Sequence, residues 1–191
     1  MNPLRIGIDF DGVLADHRLH KLRLAKEHGF ALDAWQTNSN VMRNFLPLEA
    51  YESVRTILYG DMTHEAPPVA GALEAVARLP GELYVITARR RPSVPALEWM
   101  KKHGVAERIP PERVRFCGNK ESKNTTCLEL GIDLFIDDQL SLLEILPQSV
   151  TKVLFDNDGI AAKLSVPGDI RVVGTWEEFS LLATKLANEK V

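Results

Sequence analysis

Three short apolar runs in this chain each pass into polar chemistry at the same, C-terminal, end. Leu4-Arg5-Ile6-Gly7-Ile8 leads into Asp9-Phe10-Asp11-Gly12-Val13, Leu83-Tyr84-Val85-Ile86 into Thr87-Ala88-Arg89, and Leu134-Phe135-Ile136 into Asp137-Asp138. Runs of this length and composition read as strands. The stretches between them carry helical periodicity, and strands alternating with helices imply a parallel sheet with right-handed crossovers. Ligands in such sheets collect outside the carboxyl ends of the strands. The chain order therefore predicts one crevice lined by two acids, a hydroxyl and two more acids.

The first of these ends is the most informative. Two carboxylates two residues apart suit a divalent cation and a carboxylate nucleophile, and Gly12 lets the backbone turn sharply between them and the next segment. Asp-x-Asp-Gly is also ordinary turn composition, so the weight rests on the set. A fourth member is Lys123, expected to open the helix through Asn124–Leu130 after the polar loop Gly118–Ser122; Lys120 in that loop is its competitor.

Other segments fill in the architecture. A helix is expected over about His17 to His28, with Leu19, Leu22, Leu24 and Ala25 on its apolar side and Gly29 as its C-cap. A looser piece follows from Thr37 to Asn44, then a helix from Leu48 to Leu58 with Tyr51, Val54, Ile57 and Leu58 on one face. Gly60 to Pro68 reads as a linker. After Val69 the alternation becomes regular: helix to Leu79, strand 83–86, helix 94–103, strand 114–117, the Lys123 helix, strand 134–136, helix to Leu146, strand 152–155 and strand 170–173. A last helix is opened by Thr175-x-x-Glu178, the form of a capping box. The block between the first strand and Pro67 is too long for one crossover helix and lacks a strand pattern. Residues 1–16 and 66–191 are therefore read as one α/β core, and 17–65 as a small helical cap inserted after the first strand.

Composition narrows the function. The chain has 191 residues, 45% of them hydrophobic, and a net charge of −3, which gives no reason to expect a nucleic-acid polymer as partner. Arg89-Arg90-Arg91 is the one basic run, read equally as a solvated surface or a phosphate contact. No apolar stretch reaches membrane-span length and no secretory signal is visible, so the cytoplasm is the expected location. Cys117 and Cys127 match neither a zinc pattern nor a disulfide framework and read as small buried residues.

The ordered set Asp-x-Asp-Gly-Val, hydrophobic-Thr-Ala-Arg, Lys, Ile-Asp-Asp resembles the haloacid dehalogenase-like (HAD) hydrolases. The longer forms Asp9-Phe10-Asp11-Gly12-Val13-Leu14-Ala15-Asp16 and Ile86-Thr87-Ala88-Arg89 look most like the 5'(3')-deoxyribonucleotidase branch. The resemblance covers the core segments and is thin between residues 17 and 65. It implies a Rossmann-like parallel sheet flanked by helices, and phosphatase chemistry on a small phosphorylated metabolite, with a nucleoside monophosphate favoured. It implies that Asp9 is the nucleophile, forming an aspartyl-phosphate, and that Asp11 is the acid and base for the leaving group and water. Asp11, Gly12, Thr87, Ala88 and Lys123 would bind the phosphate. Asp9, Asp137 and the Asp11 carbonyl would ligate Mg²⁺, with Asp138 either a direct ligand or a support for metal waters. At about 5 Å and an effective dielectric of about 20, each like-charge pair among these acids costs roughly 3 kcal/mol, so a compensating cation is expected.

Plainer roles compete for several residues. Asp16 reads as hinge support, and Asp138 doubles as an N-cap. His17, His20, His28, His64 and His103 read as surface or cap residues. Trp35, Phe45, Tyr51 and Tyr59 would pack the cap or stack on a nucleobase. Asp156-Asn157-Asp158-Gly159 reads as a turn. Two other functions share parts of this pattern. A signalling receiver domain also uses an acidic pair, a phosphoacceptor Asp, a Thr and a Lys, but places the pair first in the chain. A catalytically inactive HAD-fold binding protein would not need the full catalytic set. Phosphosugars and pyridoxal phosphate remain open as substrates, and oligomeric state is not legible.

Overall fold

The computed structural model describes residues 2–90 and 93–190. Six strands, β1 (Arg5–Ile8), β2 (Glu82–Thr87), β3 (Val114–Phe116), β4 (Leu134–Asp137), β5 (Thr151–Phe155) and β6 (Ile170–Val173), form one sheet in the order β3-β2-β1-β4-β5-β6. Every neighbouring pair is parallel. The chain moves outward from β1 to β3, then returns to β4 on the other side and moves outward again. That reversal leaves a crevice beyond the carboxyl ends of β1 and β4, where open α/β sheets bind ligands.

Both faces of the central strands are covered, as parallel sheets require. Alternate residues divide between two apolar clusters: Ile6, Ile8, Leu83, Val85, Leu134 and Ile136 in one, Ile86, Phe135 and Leu154 in the other. Gly7 is where this packing is tightest. A Cβ there would lie 2.3 Å from the Phe135 ring, so only glycine lets that ring lie across the central strand.

Eight helices are described: α1 (Arg18–Glu27), α2 (Leu48–Leu58), α3 (Ala72–Arg78), α4 (Val94–Lys102), α5 (Val105–Arg108), α6 (Lys120–Leu130), α7 (Leu140–Leu143) and α8 (Trp176–Glu189). Two buried tryptophans tie helices to the loops around the crevice. Trp99 of α4 donates its indole N–H to the Ala66 carbonyl at 2.7 Å, and Trp176 of α8 donates to the Val13 carbonyl at 3.0 Å. Phe10 packs edge-on against Trp99 with ring centroids 5.2 Å apart. Burying such a ring stabilises by about 1.5–3 kcal/mol, and here it anchors the turn between Asp9 and Asp11.

Segment 17–65 contains α1, α2 and three short 3-10 turns at Ala34–Thr37, Met42–Asn44 and Asp61–Glu65. Leu24, Ala25, Met42, Leu46, Val54 and Leu58 form an apolar cluster of their own within it. Two helix faces differ from the pattern reading. Leu19 is 73% exposed, while Lys21 is buried and donates its ammonium to the Thr37 carbonyl. On α2 the inward row is Ala50, Val54 and Leu58, leaving Ile57 outside; residues four apart make the ridge that packs.

Two helix starts also depart from expectation. α6 begins at Lys120, a turn before Lys123, because the Asn119 side chain caps it by accepting from the Ser122 N–H at 2.7 Å; asparagine is a strong N-cap. At α8, Thr175 Oγ1 accepts from Glu178 N–H, but the Glu178 carboxylate reaches back to Gly174 N–H, one residue beyond the usual capping-box partner. Gly29 follows α1 with φ +85°, the left-handed conformation expected at a C-terminal cap.

Candidate active site

The parallel register brings the polar strand ends together. Asp9 leaves β1 and Asp137 ends the adjacent β4, while Lys123 reaches both from the second turn of α6. Its ammonium donates to Asp9 Oδ1 at 2.7 Å and to Asp137 Oδ2 at 2.6 Å, with all three side chains nearly inaccessible to solvent. Burial alone would lower the Lys123 pKa; the carboxylates of Asp137 and Asp9 outweigh it and hold the group above the ordinary lysine value. Lys120 lines the same cleft but donates to Ser141 Oγ rather than to the acids.

Asp138 completes an acidic cluster. One oxygen from each of Asp9, Asp137 and Asp138 lies within 4.8 Å of the others. Burial pushes the Asp9 carboxyl well above the usual range; Lys123 opposes the shift, while Asp137, Asp11 and Asp138 reinforce it. Burial, then Asp137, pushes Asp138 up to about 7. Asp138 Oδ2 accepts from Ser39 Oγ at 2.7 Å, whereas its Oδ1 is buried without a hydrogen-bond partner. Three carboxylates gather around a single ammonium that bonds two of them, and each like-charge pair at this spacing costs roughly 3 kcal/mol at an effective dielectric of about 20. Converging carboxylates, one with an orphaned oxygen, and excess negative charge fit a hard divalent cation.

Gly12 bears on this cluster through its backbone. It has φ +84°, and a Cβ would lie 2.3 Å from Asp138 Oδ2. Gly12 and Asp138 line a narrow recess with Asn38 and Asp158, whereas Asp9, Asp11, Thr87, Ala88, Lys123 and Asp137 line a larger cleft of about 610 Å³. Gly12 is thus set apart from the other residues expected at the phosphate, because its turn carries it toward Asp138. Thr87 is buried at the end of β2, and its hydroxyl accepts from the Arg89 N–H at 3.3 Å.

Asp11 has partners that the pattern reading missed. Arg89 Nε donates to Asp11 Oδ2 at 2.8 Å and Arg89 Nη2 to Oδ1 at 2.7 Å, while His17 Nε2 lies 2.8 Å from Oδ1. Burial would raise the Asp11 pKa; Arg89 and then His17 overcome it and hold the carboxyl far below the usual range. Arg89 also donates to Thr63 Oγ1 at 2.9 Å, and its guanidinium lies 4.9 Å from the Phe10 ring centroid and 5.1 Å from that of Tyr59. The solvated reading of Arg89 does not describe this buried pair, and of the two roles expected for His17, surface or cap, its 2% exposure leaves the second. A signal for Arg89 existed: Ile8 sits beside Val85, so Asp11 and Arg89 leave neighbouring strands at similar heights. Arg90 is exposed on the cleft, and Arg91 lies outside the described residues.

The remaining candidates are placed as follows. Asp16 accepts from the backbone and guanidinium of Arg18. Asp158 lies in the expected turn and also accepts from Asn38 Nδ2 at 3.1 Å. Trp35 and Phe45 pack edge-on at 5.3 Å. Of Trp35, Phe45, Tyr51 and Tyr59, Tyr59 alone lines the large cleft. No helix among the described residues is long and apolar enough to cross a membrane.

No protein-family model and no curated protein matches the sequence. Solved structures do match. A conserved haloacid dehalogenase-like protein of unknown function from Agrobacterium tumefaciens superposes with a TM-score of 0.67 at 11% identity, over 96% of this chain and 98% of that one. A haloacid dehalogenase-like family hydrolase from Streptococcus pneumoniae gives 0.64 at 15%, over 95% and 98%. A HAD family hydrolase from Deinococcus radiodurans, with bound phosphate and sodium, gives 0.59 at 17%, over 96% and 97%. The chain therefore has the haloacid dehalogenase-like α/β fold.

Proposed function

We propose that this chain is a HAD-type hydrolase, a Mg²⁺-dependent phosphatase that cleaves a small phosphate monoester through an aspartyl-phosphate on Asp9. The observation that carries the reading is Lys123 joining Asp9 and Asp137 beside Asp138, at the switch point of the sheet. The phosphate bound to the Deinococcus radiodurans neighbour is consistent with it. Residues 17–65 are read as a small cap over a core made of 1–16 and 66–191, which their separate apolar cluster supports.

In this mechanism a carboxylate oxygen of Asp9 bonds to phosphorus as the bond to the leaving alcohol breaks. Asp11 gives a proton to the departing oxygen. It then takes one from the water that attacks phosphorus, which frees phosphate and restores Asp9. Because both Asp11 oxygens accept from Arg89 and His17, the step requires the Asp11 side chain to leave Arg89 once substrate is bound. The Thr87 hydroxyl, the Ala88 N–H and the Lys123 ammonium hold the phosphoryl oxygens and offset charge in the transition state. Asp9, Asp137, Asp138 and the Asp11 carbonyl would hold Mg²⁺, which when bound neutralises the acids enough for an anionic ester to approach.

A nucleoside monophosphate is the proposed substrate. Tyr59 presents an aromatic ring to the cleft, with Arg55 beside it, 5.7 Å from the ring centroid. The pairing of Asp11 with Arg89 favours one rival, a binding protein on this scaffold that turns nothing over. Hydrolysis of p-nitrophenyl phosphate with Mg²⁺ and with EDTA decides between them. The phosphatase reading expects metal-dependent turnover that Asp9→Asn abolishes; equal rates in wild type and Asp9→Asn would end it. A panel of phosphate esters ranked by kcat/KM tests the substrate, and a flat profile would remove the nucleotide assignment.

A further inference from the structure

Segment 38–40 of the insertion reaches across to the turn that carries the acidic cluster, using side chains rather than apolar packing. Ser39 Oγ donates to Asp138 Oδ2 at 2.7 Å and accepts from Lys21 Nζ at 3.3 Å. An ammonium can only donate, so the single hydroxyl proton of Ser39 is left for the carboxylate. The Asn40 side chain bridges two backbone groups of the same turn: Nδ2 donates to the Asp138 carbonyl at 2.7 Å and Oδ1 accepts from the Leu140 N–H at 2.8 Å. Asn38 braces the segment from behind. Its Oδ1 accepts from Asn40 N and Nδ2 at 2.9 Å each, and its Nδ2 donates to Asp158 after β5.

The consequence falls on one oxygen. Asp138 Oδ2 is held by Ser39 on one side and closely approached by Gly12 on the other, where a Cβ would lie 2.3 Å away. Its partner Oδ1 is left buried and unbonded, on a carboxylate that converges with those of Asp9 and Asp137. Partners that orient a ligand carboxylate in this way govern cation affinity without touching the ion.

We propose that Ser39 and Asn40 are positioning residues for Asp138, and that cation binding in the acidic cluster and docking of segment 38–40 on the β4–α7 turn strengthen each other. The inference rests on the metal-dependent reading above. Reciprocity follows from linkage: whatever factor the docked segment adds to cation affinity, the cation adds to docking. It also gives the insertion a means of sensing whether the core is loaded.

The test uses the full chain and two readouts that do not depend on turnover. Free Mn²⁺ measured by electron paramagnetic resonance gives the affinity of wild type, Ser39→Ala, Ser39→Thr and Asn40→Ala. Hydrogen exchange by mass spectrometry follows peptides over 37–44 and 138–142 with and without the ion. Expected are roughly 10-fold weaker binding for Ser39→Ala and Asn40→Ala, recovery in Ser39→Thr, which keeps the hydroxyl, and slower exchange over both wild-type peptides when Mn²⁺ is added. Unchanged affinity in both truncated variants, or wild-type exchange over 37–44 indifferent to the ion, overturns the inference while leaving the metal site intact. A wild type that binds no Mn²⁺ overturns the metal reading itself, and the inference with it. Circular dichroism in EDTA identifies a variant that does not fold, in which case the wild-type exchange comparison decides.

Discussion

Arg89 grips both oxygens of Asp11, at 2.7 and 2.8 Å, with its guanidinium almost wholly buried. Removing one member of a buried ion pair leaves the other charged and unpaired, which typically costs about 3–5 kcal/mol. Arg89→Met should therefore lower the melting temperature by roughly 6–20 °C in a chain of this size. The double variant Asp11→Asn with Arg89→Met should recover part of the loss. A single variant that melts with wild type in differential scanning calorimetry would show that the pair contributes no stability.

Asp9→Asn separates stability from metal binding. The substitution removes one of three crowded carboxylates, while an amide oxygen remains to accept from Lys123. In EDTA the variant should melt no lower than wild type. About 10 mM Mg²⁺ should stabilise wild type and leave the variant nearly unmoved, since a ligand stabilises only the state it binds. An equal Mg²⁺-induced shift in both proteins would place the ion away from Asp9.

Gly12→Ala should be damaging for two independent reasons. Residue 12 holds φ +84°, and the new methyl group would lie 2.3 Å from Asp138 Oδ2. The backbone strain alone costs about 1–3 kcal/mol, and relief of the clash would turn Asp138 away from its present place. Urea unfolding should show the loss of stability, and Mn²⁺ titration a weakened site. Gly29→Ala, also at positive φ but with open space around it, is the control for strain without the clash.

The buried Cys127 reports on pH. Burial pushes the Cys127 thiol up to about 12 from its ordinary 9.0. At pH 8 roughly one folded molecule in ten thousand carries the thiolate, against about one in ten when unfolded. Iodoacetamide at pH 8 should therefore label Cys127 slowly in native protein and quickly in guanidinium. The folded state keeps a proton that the unfolded state gives up, so this contribution to stability is full below about pH 9 and is lost as pH climbs toward 12. Fast native labelling, read by mass spectrometry, would contradict the burial of this thiol.

Much of this molecule could be read from one dimension. Strand runs ending in Asp9, Thr87 and Asp137 lie in contiguous stretches, and a parallel sheet leaves their polar ends no choice but a common edge. Lys123 was within reach because a helix between β3 and β4 must pass the same edge. Of the companions of those residues, Arg89 follows from the register of β1 and β2, but the rest were not within reach. His17 on Asp11, and Ser39 and Asn40 on Asp138, come from a loop end and from the irregular stretch of the insertion. Their meeting depends on how the 17–65 segment packs, not on any local preference.

Periodic burial thus specified the sheet, the order of its acids and the crevice between β1 and β4, because each strand's pattern is complete within itself. Which way each acid points, which cation or hydroxyl meets it, and which oxygen is left unbonded were settled only when distant segments closed around the site. Such contacts are set by three-dimensional packing of groups far apart in the chain, 99 residues for Ser39 and Asp138 and 114 for Lys123 and Asp9, and no window along the chain contains both ends of them.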